Sequence, residues 1–166
     1  MSQFKPLPSR ELLLREFVYE PDTGLFRHAY YKCGRAVKGQ VAGAKQSKGY
    51  IMLRSGDYTF MANRAAWLIG HGVDPGQAIV DHIDLDKSNN RLSNLRLATD
   101  NQNQWNRVGR GYHKTGERFR ACIRHLGHLH HIGTYDTAEE AQAAYRAKAV
   151  ELRGEFVPRQ YVCHNS

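Results

Sequence analysis

The segment from Ala78 to Arg107 constrains this chain more than any other. It reads as an apolar run ending in Asp81-His82 (AIVDH), a polar loop (IDLDKSNNRLSN), a second apolar run (LRLAT) and a polar helix (DNQNQWNR). Apolar runs this short, bounded by Asp, Asn and Ser, are strand-like. Two strands and one helix are therefore expected within about 30 residues.

The chemistry-bearing residues of the chain fall inside that frame. A strand ending in Asp-His sets a carboxylate beside an imidazole, and a helix crossing behind it can bring a second oxygen donor to the same point. Asp81 and the amide oxygen of Asn103 are hard donors suited to Mg²⁺ or Mn²⁺, which leaves His82 as a base. Phosphodiester hydrolysis needs both a group that orients or deprotonates water and positive charge at the phosphate and the departing oxygen. Thr99 with Gln102 has the form of a capping box, which puts Asn103 in the first turn of its helix, where the helix dipole favours phosphate. Arg96, directed opposite to Leu95 and Leu97 in its strand, and Arg107 near the helix end are candidate phosphate contacts.

An Asp-His pair alone is more often a surface or hydrogen-bonded pair than a catalytic one. An EF-hand reading of Asp84-Leu85-Asp86 fails, because the glycine position is Asn89 and the closing glutamate position is Leu95. Asp84 and Asp86 read as a solvated turn, and Asn89 and Asn90 as turn-formers that bond to backbone. Taken together, however, DHID, the NN pair at 89 and 90, SNLR and the NQNQWNR helix resemble the ββα-metal core of phage-type HNH endonucleases. The resemblance implies that His82 is the general base and Asp81 a metal ligand. It makes Asn94 a brace that holds the loop and orients His82, and Asn103 the second metal ligand. Many members have His where this chain has Asn103, and Asn also occurs in the phage branch.

Ahead of the motif, Glu11 to Tyr19 (ELLLREFVY) has helical apolar spacing, and Pro21-Asp22-Thr23-Gly24 turns the chain into a strand at Leu25-Phe26-Arg27. A stretch rich in Gly, Lys and Arg follows, from Gly34 to Gly49. Tyr50 to Arg54 and Tyr58 to Met61 then read as a hairpin turning at Ser55-Gly56-Asp57. Asn63 to Gly70 reads as a helix, with Arg64 on it and Trp67 as a core aromatic. Behind the motif the glycines at 109 and 111 suggest a linker, dividing the chain into residues 1–108, with the catalytic core at about 78–107, and residues 109–166.

The second part has its own pattern. From Arg118 to Arg124 the residues alternate, with Phe119, Ala121 and Ile123 facing one way and Arg118, Arg120, Cys122 and Arg124 the other. A second strand, His128 to Tyr135, puts His131 with the outward set and Ile132 with the core. An Ala-rich helix from Thr137 to Arg153 opens on the capping box Thr137-Ala138-Glu139-Glu140, and its Ala141, Ala144, Tyr145, Ala149 and Leu152 share a face that can lie close to a sheet. GYHKTGERFRACIR followed by HIGTYDTAEEAQAAYRAKAVELRGEF resembles the Apetala2-type DNA-binding domain over residues 111–156. That resemblance implies a three-stranded antiparallel sheet packed on one helix, with the open sheet face laid in the major groove. Arg118, Arg120, Arg124 and His131 are then the DNA-binding residues. A zinc site from Cys122, His125, His128, His130 and His131 does not match the spacing of known tetrahedral sites.

Composition agrees with this division. The length of 166 residues admits one domain or two small ones, and 41% hydrophobic residues with nine Tyr, six Phe and two Trp exclude wholesale disorder. The net charge of +8 and a pI near 9.6 predict attraction to a polyanion. The charge is concentrated: between Arg91 and Arg124 there are eight Lys or Arg residues against Asp100 and Glu117. Cys33, Cys122 and Cys163 form no C-x-x-C pair and read as reduced thiols. No run reaches the roughly 18 to 20 apolar residues that span a bilayer, and the start MSQFKPLPSR lacks the apolar stretch of a secretion signal.

The expectation is an α+β protein with an N-terminal β-rich segment, a ββα-metal catalytic core and a C-terminal three-stranded sheet on one helix. Its expected activity is that of a DNA endonuclease of the HNH homing type, dependent on Mg²⁺ or Mn²⁺. It would act on double-stranded DNA, away from membranes, in the cytoplasm of a bacterial or phage-infected cell, with the oligomeric state open and a monomer favoured. The alternative is a DNA-binding regulator with a decayed core. Intact Asp81, His82, Asn94 and Asn103 favour the enzyme.

Overall fold

The computed structural model describes residues 6–31 and 36–162, so Cys33 and Cys163 lie outside the described residues. Small antiparallel sheets and helices alternate along the chain, an α+β arrangement. The chain divides into two compact units, residues 1–99 and 100–166.

The first unit opens with helix α1 (Arg10–Glu16), capped by the Ser9 hydroxyl, which accepts from Leu12 N at 3.2 Å. The helical spacing continues to Tyr19, but the helix stops at Glu16. Phe17-Val18-Tyr19, aromatic and β-branched, instead forms strand β1 (Phe17–Glu20), because an antiparallel partner is available in β2 (Leu25–His28). Gly24, at φ +74°, makes the turn between them. A second sheet of order β3-β4-β5 is formed by β3 (Ala44–Lys45), β4 (Ile51–Ser55) and β5 (Tyr58–Met61), and helix α2 (Ala62–His71) follows directly.

Leu13, Phe17, Phe26, Leu53, Phe60, Ala65, Ala66, Val80 and Leu95 make the core of this unit. Phe17 meets Phe26 and Phe60 edge to face, with centroids 6.1 and 6.5 Å apart. Each fully buried Phe or Leu of this kind contributes roughly 1.5–3 kcal/mol. Trp67 packs against the core from its edge, stacked on His71.

Two buried polar side chains of α2 fix the approach to the motif. Asn63 Nδ2 donates to Val80 O at 2.8 Å, and Arg64 donates to Ala78 O at 3.0 Å and Gly76 O at 2.7 Å. The Asn63 bond satisfies a buried carbonyl, and the Arg64 bonds tie the turn at Gly76–Ala78 to the helix. They also set the entry of strand β6 (Ile79–His82), which pairs with β7 (Leu95–Ala98).

The second unit begins with the short helix α3 (Asp100–Trp105) and continues with β8 (Tyr112–Thr115), β9 (Arg118–His125) and β10 (His128–Tyr135), an antiparallel sheet of order β10-β9-β8. Helix α4 (Ala138–Arg153) starts in a complete capping box: Thr137 Oγ1 accepts from Glu140 N, and Glu140 Oε2 accepts from Thr137 N, both at 3.2 Å. Its Ala141 and Ala149 are fully buried, and Ile123, Tyr145, Val157 and Tyr161 complete the core.

The boundary between units falls ahead of α3, whereas the glycines at 109 and 111 suggest a linker behind it. Gly111 is a close-approach position, and Gly109 is tied through its backbone. Tyr161 Oη accepts from Gly109 N at 3.0 Å and donates to Gly109 O at 3.1 Å. Gly111, at φ +70°, lies so near the Tyr145 ring that a Cβ there would sit 2.0 Å from Cγ. Trp105, at the end of α3, stacks on His125 at 4.7 Å with the Arg153 guanidinium 5.7 Å from its centroid. No helix among the described residues is long and apolar enough to cross a membrane.

Candidate active site and nucleic-acid face

The β6–β7 register decides which side chains meet. Asp81 lies opposite Arg96, and His82 opposite Leu95. Directly opposed residues share a face, and Arg96 Nε and Nη2 both donate to Asp81 Oδ2, at 3.0 and 2.9 Å. Both residues are buried, at 9% and 7% exposure. Removing either partner of such a pair leaves an uncompensated buried charge. Arg96, expected at the phosphate, therefore stands at the carboxylate expected to bind metal.

His82, at 4% exposure, ends β6. Its Nε2 lies 3.1 Å from Asn90 Oδ1, and its ring lies 6.0 Å from that of Tyr50, over which Lys87 Nζ sits at 4.9 Å. Burial pushes His82 below the ordinary histidine value. The Asn90 hydrogen bond and the Asp81, Asp84 and Asp86 charges pull the other way and are outweighed. The neutral imidazole, the form that can accept a proton, is thus the resident one at neutral pH.

The loop between the strands is knitted by its own polar groups. Asn94 Oδ1 accepts from Asp84 N at 3.1 Å, while its Nδ2 donates to Asp84 Oδ1 and Asn89 O, both at 2.9 Å. Asn89 Nδ2 donates to Asp84 Oδ2 at 2.6 Å, and Asp86 Oδ1 accepts from both Ser88 N and Oγ. The Ser88 bonds hold the Asp86 carboxyl below its ordinary range. Asp84 and Asp86, read from the sequence as a solvated turn, are therefore the acceptors around which the loop closes.

Asn94 braces this loop, but the side chain that touches His82 is Asn90, at 2% exposure, which sequence reasoning took for a turn-former. The N-terminal hairpin meets the same stretch. Tyr19 Oη donates to Asn90 O at 2.8 Å, Arg91 Nε donates to Asp22 O at 2.7 Å, and Leu92 N donates to Pro21 O at 3.1 Å. A Cβ on Gly24 would lie 2.4 Å from Arg91 N and 2.5 Å from Asn90 C. The sequence signal for Asn90 was indirect: a buried imidazole needs partners for its ring nitrogens, and the NN pair is near. Tyr19 and Gly24 gave none, since each belongs to an ordinary strand or turn.

Asn103 lies half-buried on α3, which belongs to the second unit, whereas Asp81 belongs to the first. Arg107 lies beyond the end of α3 and is exposed. Among the described residues no group of three or more His, Cys, Asp or Glu side chains is placed to hold a metal ion.

On the sheet of the second unit, Arg120 lies opposite His113 and Thr134, Cys122 opposite His131, and Arg124 opposite Leu129. Arg118, Arg120, Arg124 and His131 are exposed, while Ala121 and Ile123, on the other face, are buried. A bulge between His131 and Gly133 leaves Ile132 packed against the core. Arg118 is ion-paired with Asp136 at 2.8 Å, and Arg118 Nη2 donates to Thr134 O at 3.2 Å. Cys122 is a free, half-buried thiol on this outward face.

A family model described as HNH endonuclease matches residues 60–105, from β5 through α2 and the β6–β7 hairpin to the end of α3. Two viral proteins are similar over about half of this chain. One, named as an uncharacterized HNH endonuclease of Acanthamoeba polyphaga mimivirus, is 42% identical over 94 residues, 54% of this chain and 50% of its own. The other, Protein 3.8 of Escherichia phage T7, is 31% identical over 100 residues, 54% of this chain and 82% of its own. The chain belongs to the same family as the phage protein. No solved structure gives a significant match.

Proposed function

We propose that the protein is a metal-dependent endonuclease of the HNH type that hydrolyses phosphodiester bonds in double-stranded DNA. The observation that carries this reading is the buried hairpin that sets neutral His82 beside Asp81, inside the matched residues 60–105. His82 takes a proton from the attacking water. Asp81 and Asn103, one carboxylate and one amide oxygen, are the donors for Mg²⁺ or Mn²⁺, and such a set suits a small hard cation that keeps several waters. The ion, when bound, supplies the positive charge that stabilises the phosphate and the departing oxygen. Arg96 adds positive charge beside Asp81, and exposed Arg107 is the candidate contact to backbone phosphate. Asn94 keeps the loop closed under His82. The outward sheet face with Arg118, Arg120, Arg124 and His131 is the DNA-holding surface, in the manner of an Apetala2-type module.

A second reading, a DNA-binding regulator with an inactive core, draws support from one contact: Asp81 Oδ2 already accepts two hydrogen bonds from Arg96. A nicking assay separates the two. Cleavage is expected with Mg²⁺ or Mn²⁺ and none in excess chelator. His82→Ala is expected to slow single-turnover cleavage by roughly 10² to 10⁴-fold with DNA affinity unchanged. Cleavage that persists in chelator, or affinity that falls in step with rate, sinks the enzyme reading.

A further inference from the structure

We propose that Asn90, seated by the N-terminal hairpin, is a positioning residue for His82: its side-chain oxygen holds the imidazole as the Nε2–H tautomer, so that the proton-accepting atom is Nδ1. The catalytic consequence rests on the nuclease reading above, but the tautomer itself does not.

The argument starts from the amide. Asn90 Nδ2 donates to Ser88 O at 3.3 Å, and the reverse orientation would press two oxygens together, so the atom facing His82 is Oδ1, at 3.1 Å from Nε2. An amide oxygen only accepts. Nε2 must therefore carry the hydrogen, and in a neutral ring the lone pair then resides on Nδ1. Asn94 does not take this part, because its amide is engaged with Asp84 and Asn89. When Nδ1 takes a proton from water, the ring becomes imidazolium while Nε2–H stays on Asn90; the hydroxide left behind bonds to phosphorus as the opposite phosphorus–oxygen ester bond breaks, and the departing sugar oxygen takes a proton from solvent.

The hairpin holds Asn90 in register. Tyr19, with its ring 4.7 Å from that of Phe26, donates to Asn90 O. Pro21 and Asp22 carbonyls accept from the next two residues, Leu92 and Arg91. Gly24 abuts the Asn90–Arg91 peptide with no room for a side chain. Asn90 thus cannot withdraw from His82 unless the β1–β2 turn moves as well.

The test is a long-range ¹H–¹⁵N correlation spectrum of the full-length, histidine-labelled protein, at a pH where the ring is neutral. It distinguishes the two tautomers, with the His82 signal assigned by its loss in His82→Ala. The wild type is expected to show Nε2–H, and Nδ1–H there overturns the proposal without any variant. Asn90→Ala is expected to lose the Nε2–H preference and to slow single-turnover cleavage by about 10 to 100-fold at unchanged DNA affinity. Asn90→Asp, which restores an acceptor, is expected to recover the tautomer. An undiminished Nε2–H signal in Asn90→Ala overturns the proposal. Should Asn90→Ala not fold, Tyr19→Phe decides: it keeps the packing on Phe26, and the same shift in smaller degree is expected, whereas a wild-type spectrum and rate overturn the seating by the hairpin. If His82→Ala cleaves at the wild-type rate, the nuclease reading falls while the tautomer result stands.

Discussion

Burial, with the Asp22 charge second, pushes the Tyr19 hydroxyl up to about 12 from its ordinary 10.0, and the same O–H donates to Asn90 O. The neutral phenol is the form that folding favours, so its contribution to stability is whole below pH 10.0 and is lost as pH rises from there towards about 12. Urea unfolding of the wild type and Tyr19→Phe across that window is the check. The wild type is expected to lose more stability than the variant, and parallel curves would show that this hydroxyl does not gain its shift on folding. At this scale the sequence was partly legible. Asp81 and His82 stood next to each other in a recognisable string, and Asn94, expected to brace the loop and orient His82, bonds Asp84 within the loop. Asn90 was passed over because an asparagine that bonds a side chain looks the same in sequence as one that bonds backbone. The Arg96 contact with Asp81 follows from strand register, which opposes the two residues, whereas alternation along one strand tells only which way a side chain points.

Helix α4 shows an element whose start was written into its first residues. The Thr137–Glu140 reciprocal bonds satisfy two otherwise unpaired N–H groups, and Thr137→Ala is expected to cost about 1 kcal/mol, read as a lower midpoint in chemical denaturation with an unchanged slope. No change would mean that solvent serves those groups as well as Thr137 does. The alternation at 118–124 likewise predicted the buried set Ala121 and Ile123 and the exposed arginines. Helix α1 was overextended by the same kind of reasoning. Its apolar spacing runs through Tyr19, but β1 pairs with the strand that the turn at residues 21–24 leads into, and pairing outweighs local propensity. Gly111 carries a related ambiguity: a glycine needed for close packing has the same letter as one in a slack linker.

On the proposed reading, the basic sheet face and the β6–β7 hairpin lie in different units, so that holding DNA and cutting it are separable by mutation. Replacing Arg118, Arg120 and Arg124 together is expected to weaken duplex binding and, where they meet phosphate, to flatten the salt dependence by about one per residue. Cleavage at saturating enzyme should be unaffected by the same change. Affinity for cognate and scrambled duplexes across a salt series measures this, and an unchanged slope would make the face a solvated one. The β1–β2 turn sets a condition of another kind. The family match begins at residue 60, yet the peptide at Asn90–Arg91 is shaped around a glycine at position 24. The motif is therefore not a portable cassette. A chimera that swaps residues 60–105 for those of a relative would import a loop fitted to a different turn, and grafts should succeed only when the donor's own turn travels with its loop.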